Sequence, residues 1–187
     1  MGAKIVVLVY AKSCYYDDLY FVTLTTVGWI DIFTRPLYKQ YIIENLAYCQ
    51  KHKGLTVYSY VLMTNHLHLI GEVNKGSMSD WLRDFKSFTS KGLHKLITEN
   101  EHESRKEWMI ELFKEAGKDN EANRDFQLWQ NGSHPVVLYG QQPHIIQQKM
   151  NYIHENPVRA GIVPEAHMYL YSSAHEQNPL RVAGLVL

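Results

Sequence analysis

Two strand-like segments lie in the middle of the chain with only two residues between them. The segments Leu55–Met63 (LTVYSYVLM) and His66–Val73 (HLHLIGEV) are rich in β-branched, aromatic and aliphatic residues, as strands are. A connection as short as Thr64-Asn65 can join only antiparallel neighbours, because parallel strands need a long crossover. The sequence therefore predicts a β-hairpin at the centre of an antiparallel sheet.

Further elements flank this hairpin on both sides. The remaining predicted elements are a strand at Tyr20–Val27, a helix from Pro36 that Gly54 stops, a helix from an N-cap at Ser79 to Glu99, a strand at Asp125–Trp129 and a helix from Pro143 to Asn156. The first six elements follow the order of the ferredoxin-like split βαβ fold. We therefore predict an α+β fold with a four-stranded antiparallel sheet and helices on one face. The last helix is the candidate to cover the other face.

The length of 187 residues suits a single domain, and we expect one domain over 1–187. Two parts stand outside the βαβ pattern, an N-terminal extension at 1–18 and an insertion at 98–124. The insertion contains a predicted short helix, Lys106–Glu115, and a loop at Gly117–Asn123. No apolar run approaches the roughly 20 residues that a membrane span needs, so we expect a cytoplasmic protein without a membrane partner.

The formal net charge is zero, which argues against a protein that coats long stretches of duplex DNA. A local basic surface is still predicted on the helix that ends at Glu99. At about 100° per residue its apolar side chains, Phe88 among them, gather on one arc, and a basic arc lies opposite. The basic arc is a candidate phosphate-binding face, with a solvated helix face as the alternative; it contains Arg83, Lys86, Lys91 and Lys95. Trp29 and Trp129 are candidates to stack unpaired bases, with core packing as the alternative.

The pair His66 and His68 is the first candidate site. Residues two apart on a strand point to the same face, so Leu67 and Leu69 would enter the core and both imidazoles would face the other way. Their Cβ atoms would lie about 6–7 Å apart, close enough for two ring nitrogens to bind one cation. Such pairs also occur on solvated sheet faces without any ligand.

The second candidate site is on the last helix. Tyr152 and Asn156 are four residues apart and share one helical stripe, with Gln148 one turn earlier. An amide oxygen can bind a hard cation, and a phenolic oxygen would lie beside it. The ordinary alternative is that Asn156 simply ends the helix before Pro157. His154 points away from this stripe and is expected to be structural.

Taken together, these residues resemble a known family. The stretches VLMTNHLHLIGEV (Val61–Val73) and YIHENPVRAGIV (Tyr152–Val163), followed by YSS (Tyr171–Ser173), resemble the single-tyrosine transposases of small bacterial insertion sequences, whose hallmark is a His-hydrophobic-His (HUH) motif. They are most similar to the branch associated with repetitive extragenic palindromes. The resemblance runs from about Tyr20 to Ser173.

The resemblance implies a role for each candidate residue. His66, His68 and Asn156 match the metal ligands, and Tyr152 matches the nucleophile that forms a covalent 5′-phosphotyrosine. The position of Asn156 is usually Gln in the insertion-sequence branch, and both residues offer an amide oxygen. The metal would be Mg²⁺ or Mn²⁺, with no small-molecule cofactor. Gln148 and Lys149 are further candidates to position DNA or metal.

The resemblance also implies a substrate and a reaction. Family members bind imperfect DNA hairpins and cut a nearby single strand, so we expect DNA strand cleavage and transfer near hairpins. It leaves open whether the protein acts as a monomer or as a homodimer. Three other hypotheses compete with that of a transposase. The protein would be a nicking enzyme of the replication-initiator type, a catalytically silent hairpin-binding module, or a small metal-binding or regulatory protein with the same fold.

Overall fold

The computed structural model describes residues 19–118, 125–132, 135–138 and 142–185. The predicted extension 1–18 lies outside the described residues, and so does part of the predicted insertion, 119–124. The helices and strands of the described part are β1 (Tyr20–Thr25), α1 (Pro36–His52), β2 (Leu55–Leu62), β3 (His66–Val73), α2 (Met78–Glu99), α3 (Lys106–Lys118), β4 (Val136–Val137) and α4 (Pro143–Arg159). None of these helices is long and apolar enough to cross a membrane.

The strands form one antiparallel sheet in the order β2-β3-β1-β4. The two central strands are paired so that Thr23 lies opposite His68 and Thr25 lies opposite His66. The hairpin prediction is confirmed: the Met63 N–H donates to the His66 carbonyl at 2.8 Å and closes the turn between β2 and β3. The predicted α+β class with a four-stranded antiparallel sheet is therefore confirmed.

Each face of the sheet has its own hydrophobic core. The alternation along β3 sends Leu67 and Leu69 into the core that α1, α2 and α3 cover. Ile70 belongs to the other core, where α4 contributes Ile146 and Ile153. The last helix thus covers the second sheet face, as predicted. Helix α4 therefore lies over the same face of the sheet to which the two histidines of β3 point.

The predicted fourth strand is wrong in position. Asp125–Trp129 forms only a single bridge, between Trp129 and Thr26, and the fourth strand is Val136–Val137, which pairs with β1. Burial in this segment does not alternate: the adjacent Leu128 and Trp129 are both buried, and the Trp129 indole N–H donates to the Thr89 hydroxyl at 3.0 Å. A short segment with large apolar side chains that are buried outside a sheet has the same kind of sequence as a strand, so the sequence alone did not distinguish the two.

The start and the core face of α2 also differ from the prediction. The N-cap is Ser77 rather than Ser79, because the Ser77 hydroxyl accepts from the Asp80 N–H at 3.0 Å. Phe88, expected in the core, is 64% exposed. The buried arc is turned toward Thr89 and Ile97, so Phe88 falls beyond its edge.

Two helices run further than predicted. Helix α3 ends at Lys118, so Gly117 and Lys118, predicted to lie in a loop, are helical. Helix α4 continues through Pro157 to Arg159 instead of ending at Asn156. The proline removes one backbone donor, but its ring is buried, and the Ala160 N–H still donates to the Asn156 carbonyl at 3.0 Å. Packing of the proline and one further turn therefore outweigh the lost hydrogen bond.

Candidate active site

His66 and His68 form the floor of the candidate site, on the face of β3 that looks toward α4. Their ring centroids lie 4.7 Å apart. Leu67 between them is fully buried in the opposite core, as the alternation predicts. The two imidazoles are therefore close enough to act on one ligand.

Hydrogen bonds to one ring nitrogen orient each imidazole. His66 Nδ1 lies 2.6 Å from Asn65 Oδ1, and the amide of Asn65 is itself fixed because its Nδ2 donates to the Trp29 carbonyl at 3.2 Å. An amide oxygen only accepts, so Nδ1 of His66 carries the proton. His68 Nδ1 lies 2.9 Å from the hydroxyl of Thr23, which can donate or accept. In His66 this leaves Nε2 facing Asn156 across the site, and metal-binding histidines are oriented by such a hydrogen bond to the other ring nitrogen.

Burial keeps both imidazoles neutral. Burial lowers the pKa of His66. This effect outweighs the hydrogen bond with Asn156 and the negative charge of Asp31, which both raise the pKa. Burial also lowers the pKa of His68 to about 3, helped by the neighbouring His66 and by the ammonium of Lys149. Neutral imidazoles have a free lone pair, which is the form that binds a metal ion.

Helix α4 brings the other two candidate residues over this floor. The ring of Tyr152 lies 5.2 Å from the ring of His68 and meets it edge-on. Asn156, one turn later, has its Oδ1 3.2 Å from Nε2 of His66. Tyr152 is 37% exposed, so a ligand can reach its phenol from solvent. The two motifs that are far apart in sequence therefore meet at a single place.

The contact between His66 and Asn156 bears directly on metal binding. Nε2 of His66 and Oδ1 of Asn156 lie 3.2 Å apart, close enough to bind one cation together. In the described part of the chain no cluster of three or more His, Cys, Asp or Glu side chains could hold a metal. The set that fits a cation here is instead two imidazoles and an amide oxygen.

Two cationic side chains and a phenyl ring lie around His68 and Tyr152. Nζ of Lys149, a predicted site residue, lies 4.9 Å from the ring of Phe21, which stacks on His68. The guanidinium of Arg159 lies 5.6 Å from the ring of Tyr152. Arg159 was missed because the helix was expected to end at Asn156, although a spacing of seven residues from Tyr152 would have indicated the same stripe. These cations give the site a positive rim.

The other predicted binding residues lie elsewhere. Gln148 is on α4 but exposed. The four basic residues of α2 are on the helix that covers the opposite sheet face, so the structure does not bring them to the histidines. Three of the four already have a partner within the protein. Arg83 forms an ion pair with Asp80 at 2.7 Å and Lys95 one with Glu99 at 3.8 Å. Lys86 donates a hydrogen bond to the Gln130 carbonyl at 2.7 Å, and Lys91 is exposed. Their role in phosphate binding stays a prediction.

The expectation that His154 is structural agrees with its contacts. Its Nε2 lies 2.8 Å from the hydroxyl of Ser173 and 3.2 Å from that of Ser59. Ser173 also accepts from the backbone N–H of Tyr60 at 2.9 Å. The imidazole therefore joins α4 and the C-terminal segment to β2.

Comparisons with known proteins agree with the fold and identify the family. A search of curated proteins finds no match. One similar solved structure is a REP-associated tyrosine transposase bound to a REP hairpin, with 15% sequence identity, a TM-score of 0.50, and coverage of 84% of this chain and 76% of that one. The sequence model of the IS200-like transposases matches residues 15–116, more than half of the chain, including both histidines but not α4. The chain therefore belongs to the IS200-like transposase family.

Proposed function

We propose that the protein is a metal-dependent endonuclease and strand transferase that cuts single-stranded DNA through a covalent 5′-phosphotyrosine at Tyr152. The observation that carries this proposal is the meeting of two motifs, with Oδ1 of Asn156 3.2 Å from Nε2 of His66 and the phenol of Tyr152 beside His68. Membership of a transposase family supports DNA as the substrate.

Nε2 of His66, Nε2 of His68 and Oδ1 of Asn156 would hold the metal ion. This mixed nitrogen and oxygen set suits several divalent ions, and the family resemblance favours Mg²⁺ or Mn²⁺. A bound cation polarises a non-bridging phosphate oxygen and offsets the charge that develops in the transition state. The neutral state of both imidazoles supports this role, since neither needs to lose a proton first.

Tyr152 supplies the nucleophile. Its Oη attacks phosphorus, the bond from phosphorus to the 3′ oxygen breaks, and a new bond joins the 5′ phosphate to Tyr152. The phenolic proton passes to solvent, and the departing 3′ oxygen takes up a proton to become a hydroxyl. A 3′ hydroxyl of the same or another strand can reverse the step, so strands are rejoined without ATP. The positive side chains of Lys149 and Arg159 would attract the phosphate to this position.

A DNA hairpin beside the cut is the proposed binding target. The solved structure of similar fold is of a protein bound to a REP hairpin, and this supports a hairpin here. A replication-initiator-type nicking enzyme would share the chemistry, and a catalytically silent binding module would share the target. The retention of the complete Tyr and His arrangement favours an active enzyme over the silent module.

The test is a cleavage reaction with labelled single-stranded hairpin oligonucleotides from the flanks of the protein's own gene, in Mg²⁺ or Mn²⁺. We expect a protein–DNA adduct on a denaturing gel that disappears with chelator and with Tyr152→Phe. Tyr48→Phe is the matched control, because Tyr48 is 54% exposed on α1, away from the site. Binding without an adduct would favour the silent module. An adduct that persists in Tyr152→Phe would contradict the assigned nucleophile.

A further inference from the structure

We propose that the indole of Trp29 stacks on the unpaired base next to the scissile phosphate and so positions the single strand for cleavage; this rests on the proposed function. Trp29 follows β1 in a short 3₁₀ turn, Val27–Trp29, and is 62% exposed. Its ring lies 6.5 Å from the ring of His66 and is turned edge-on to it at 72°. The indole therefore stands at the border of the candidate metal site, with most of its surface open to solvent.

The backbone at this turn has a strained conformation. Gly28 and Trp29 are both left-handed, with φ of 60° and 56°. For a residue other than glycine this costs about 1–2 kcal/mol. This backbone conformation has one structural role. The Trp29 carbonyl accepts a hydrogen bond from the side-chain amide of Asn65, and Asn65 in turn orients His66. That role needs only a carbonyl, which glycine would supply without strain.

The indole itself is not accounted for by the fold. It is absent from both hydrophobic cores, whereas Trp129 and Trp81 are 2% and 6% exposed. Holding the largest side chain in solvent at a strained position is unfavourable for stability, and such sites are characteristic of function. The site next to it would bind a phosphate, and each phosphate of a single strand is attached to a nucleotide with a free base face.

An aromatic ring beside a phosphate site suits an unpaired base. Bases stack on aromatic side chains with little sequence preference, and each stack contributes enough to position one nucleotide. Lys149 and Phe21 lie near His68, whereas Trp29 lies near His66. The strand would therefore place its scissile phosphate over the histidines and the adjacent base on Trp29. A paired base could not offer this face without leaving its duplex.

The test compares the DNA affinities of Trp29→Gly, Trp29→Phe and Trp108→Ala, all in a Tyr152→Phe background that prevents cleavage. Trp108 is the matched control, since it is 55% exposed on α3. The probe is the gene-flank hairpin with a single-stranded tail, measured by fluorescence anisotropy in Mg²⁺. We expect Trp29→Gly to bind roughly 5- to 100-fold more weakly, Trp29→Phe to retain most of the affinity, and Trp108→Ala to be unchanged.

Two further readouts separate stacking from a structural role. Trp29→Gly should melt at the same temperature as its parent or higher, because glycine relieves the positive φ. An abasic nucleotide beside the cut should weaken binding to the parent but not to Trp29→Gly. Unchanged affinity of Trp29→Gly, or an affinity loss accompanied by a lower melting temperature, would overturn the stacking proposal. If the chain with Tyr152 still forms its adduct, the proposed function stands; if no variant binds the DNA, both proposals fail.

Discussion

Glu103 offers a sharp test of how the segment before α3 is fastened to the rest of the protein. Its carboxylate is fully buried and lies 2.6 Å from Nε of Arg35 and 3.0 Å from Nε of Arg105. Arg105 also donates to the Asp31 carbonyl at 2.9 Å and to the Thr34 hydroxyl at 3.0 Å. The network therefore ties this segment to the chain that follows the Trp29 turn. Glu103→Gln removes the central charge while keeping the shape.

The size of the effect follows from the pKa of Glu103. Burial alone would raise this pKa, but the hydrogen bonds from Arg105 and Arg35 outweigh it and lower the pKa from 4.5 to about 2. At about 1.4 kcal/mol for each tenfold change, this corresponds to about 3 kcal/mol of stability. The guanidinium groups are about one-third exposed, so solvent screening reduces the expected figure to about 2–3 kcal/mol.

The sign of the pH dependence is also fixed by the direction of this shift. Because the pKa is lower in the folded protein, the stabilisation is complete above pH 4.5 and is lost as the pH falls from 4.5 to about 2. Urea unfolding of wild type and Glu103→Gln should differ by about 2–3 kcal/mol at pH 7 and converge toward pH 2. Glu99→Gln, which removes an exposed pair with Lys95, should cost less than about 1 kcal/mol. A Glu103→Gln protein as stable as wild type at pH 7 would show that the buried carboxylate contributes no net stability.

Two further predictions concern the site and the sheet. Asn65→Ala removes the acceptor that orients His66, so Mn²⁺ affinity measured by titration calorimetry should fall roughly 10- to 100-fold; unchanged affinity would count against the tautomer argument. Gly71→Ala puts a Cβ 2.6 Å from the Thr56 carbonyl oxygen, so urea unfolding should show a loss of about 1–3 kcal/mol. Gly184→Ala, which meets nothing within 4 Å, is its control, and equal stability of the two variants would contradict the predicted clash.

Sequence periodicity predicted the elements that are long or strongly patterned. The bounds of β3, His66–Val73, and the end of α2 at Glu99 agree with the structure, because alternation and helical spacing directly reflect which side of an element is buried. The same alternation placed His66 and His68 on one face. The prediction that α4 lies over this face depended on a simple requirement, that the second face of the sheet needs a cover.

Other features of the structure depend on tertiary contacts, which the periodicity of the sequence does not indicate. Arg159 was not predicted beside Tyr152, because the rule for residues before proline ignores the packing that carries α4 past Pro157. Asn65 and Thr23 contact the imidazoles of His66 and His68. The sequence predicted the turn at Asn65, but it did not predict where the Asn65 side chain points or which residue of β1 lies opposite His68. The fourth strand is only two residues long, too short for any periodic signal.

The proposed nucleophile is tested most directly by identifying the amino acid that becomes attached to DNA. The adduct formed with the gene-flank hairpin in Mg²⁺ would be digested with protease and nuclease, and the cross-linked peptide sequenced by mass spectrometry. We expect a single nucleotide joined through its 5′ phosphate to Tyr152. Attachment to another residue, such as Tyr171 or Tyr20, or linkage through a 3′ phosphate, would contradict it.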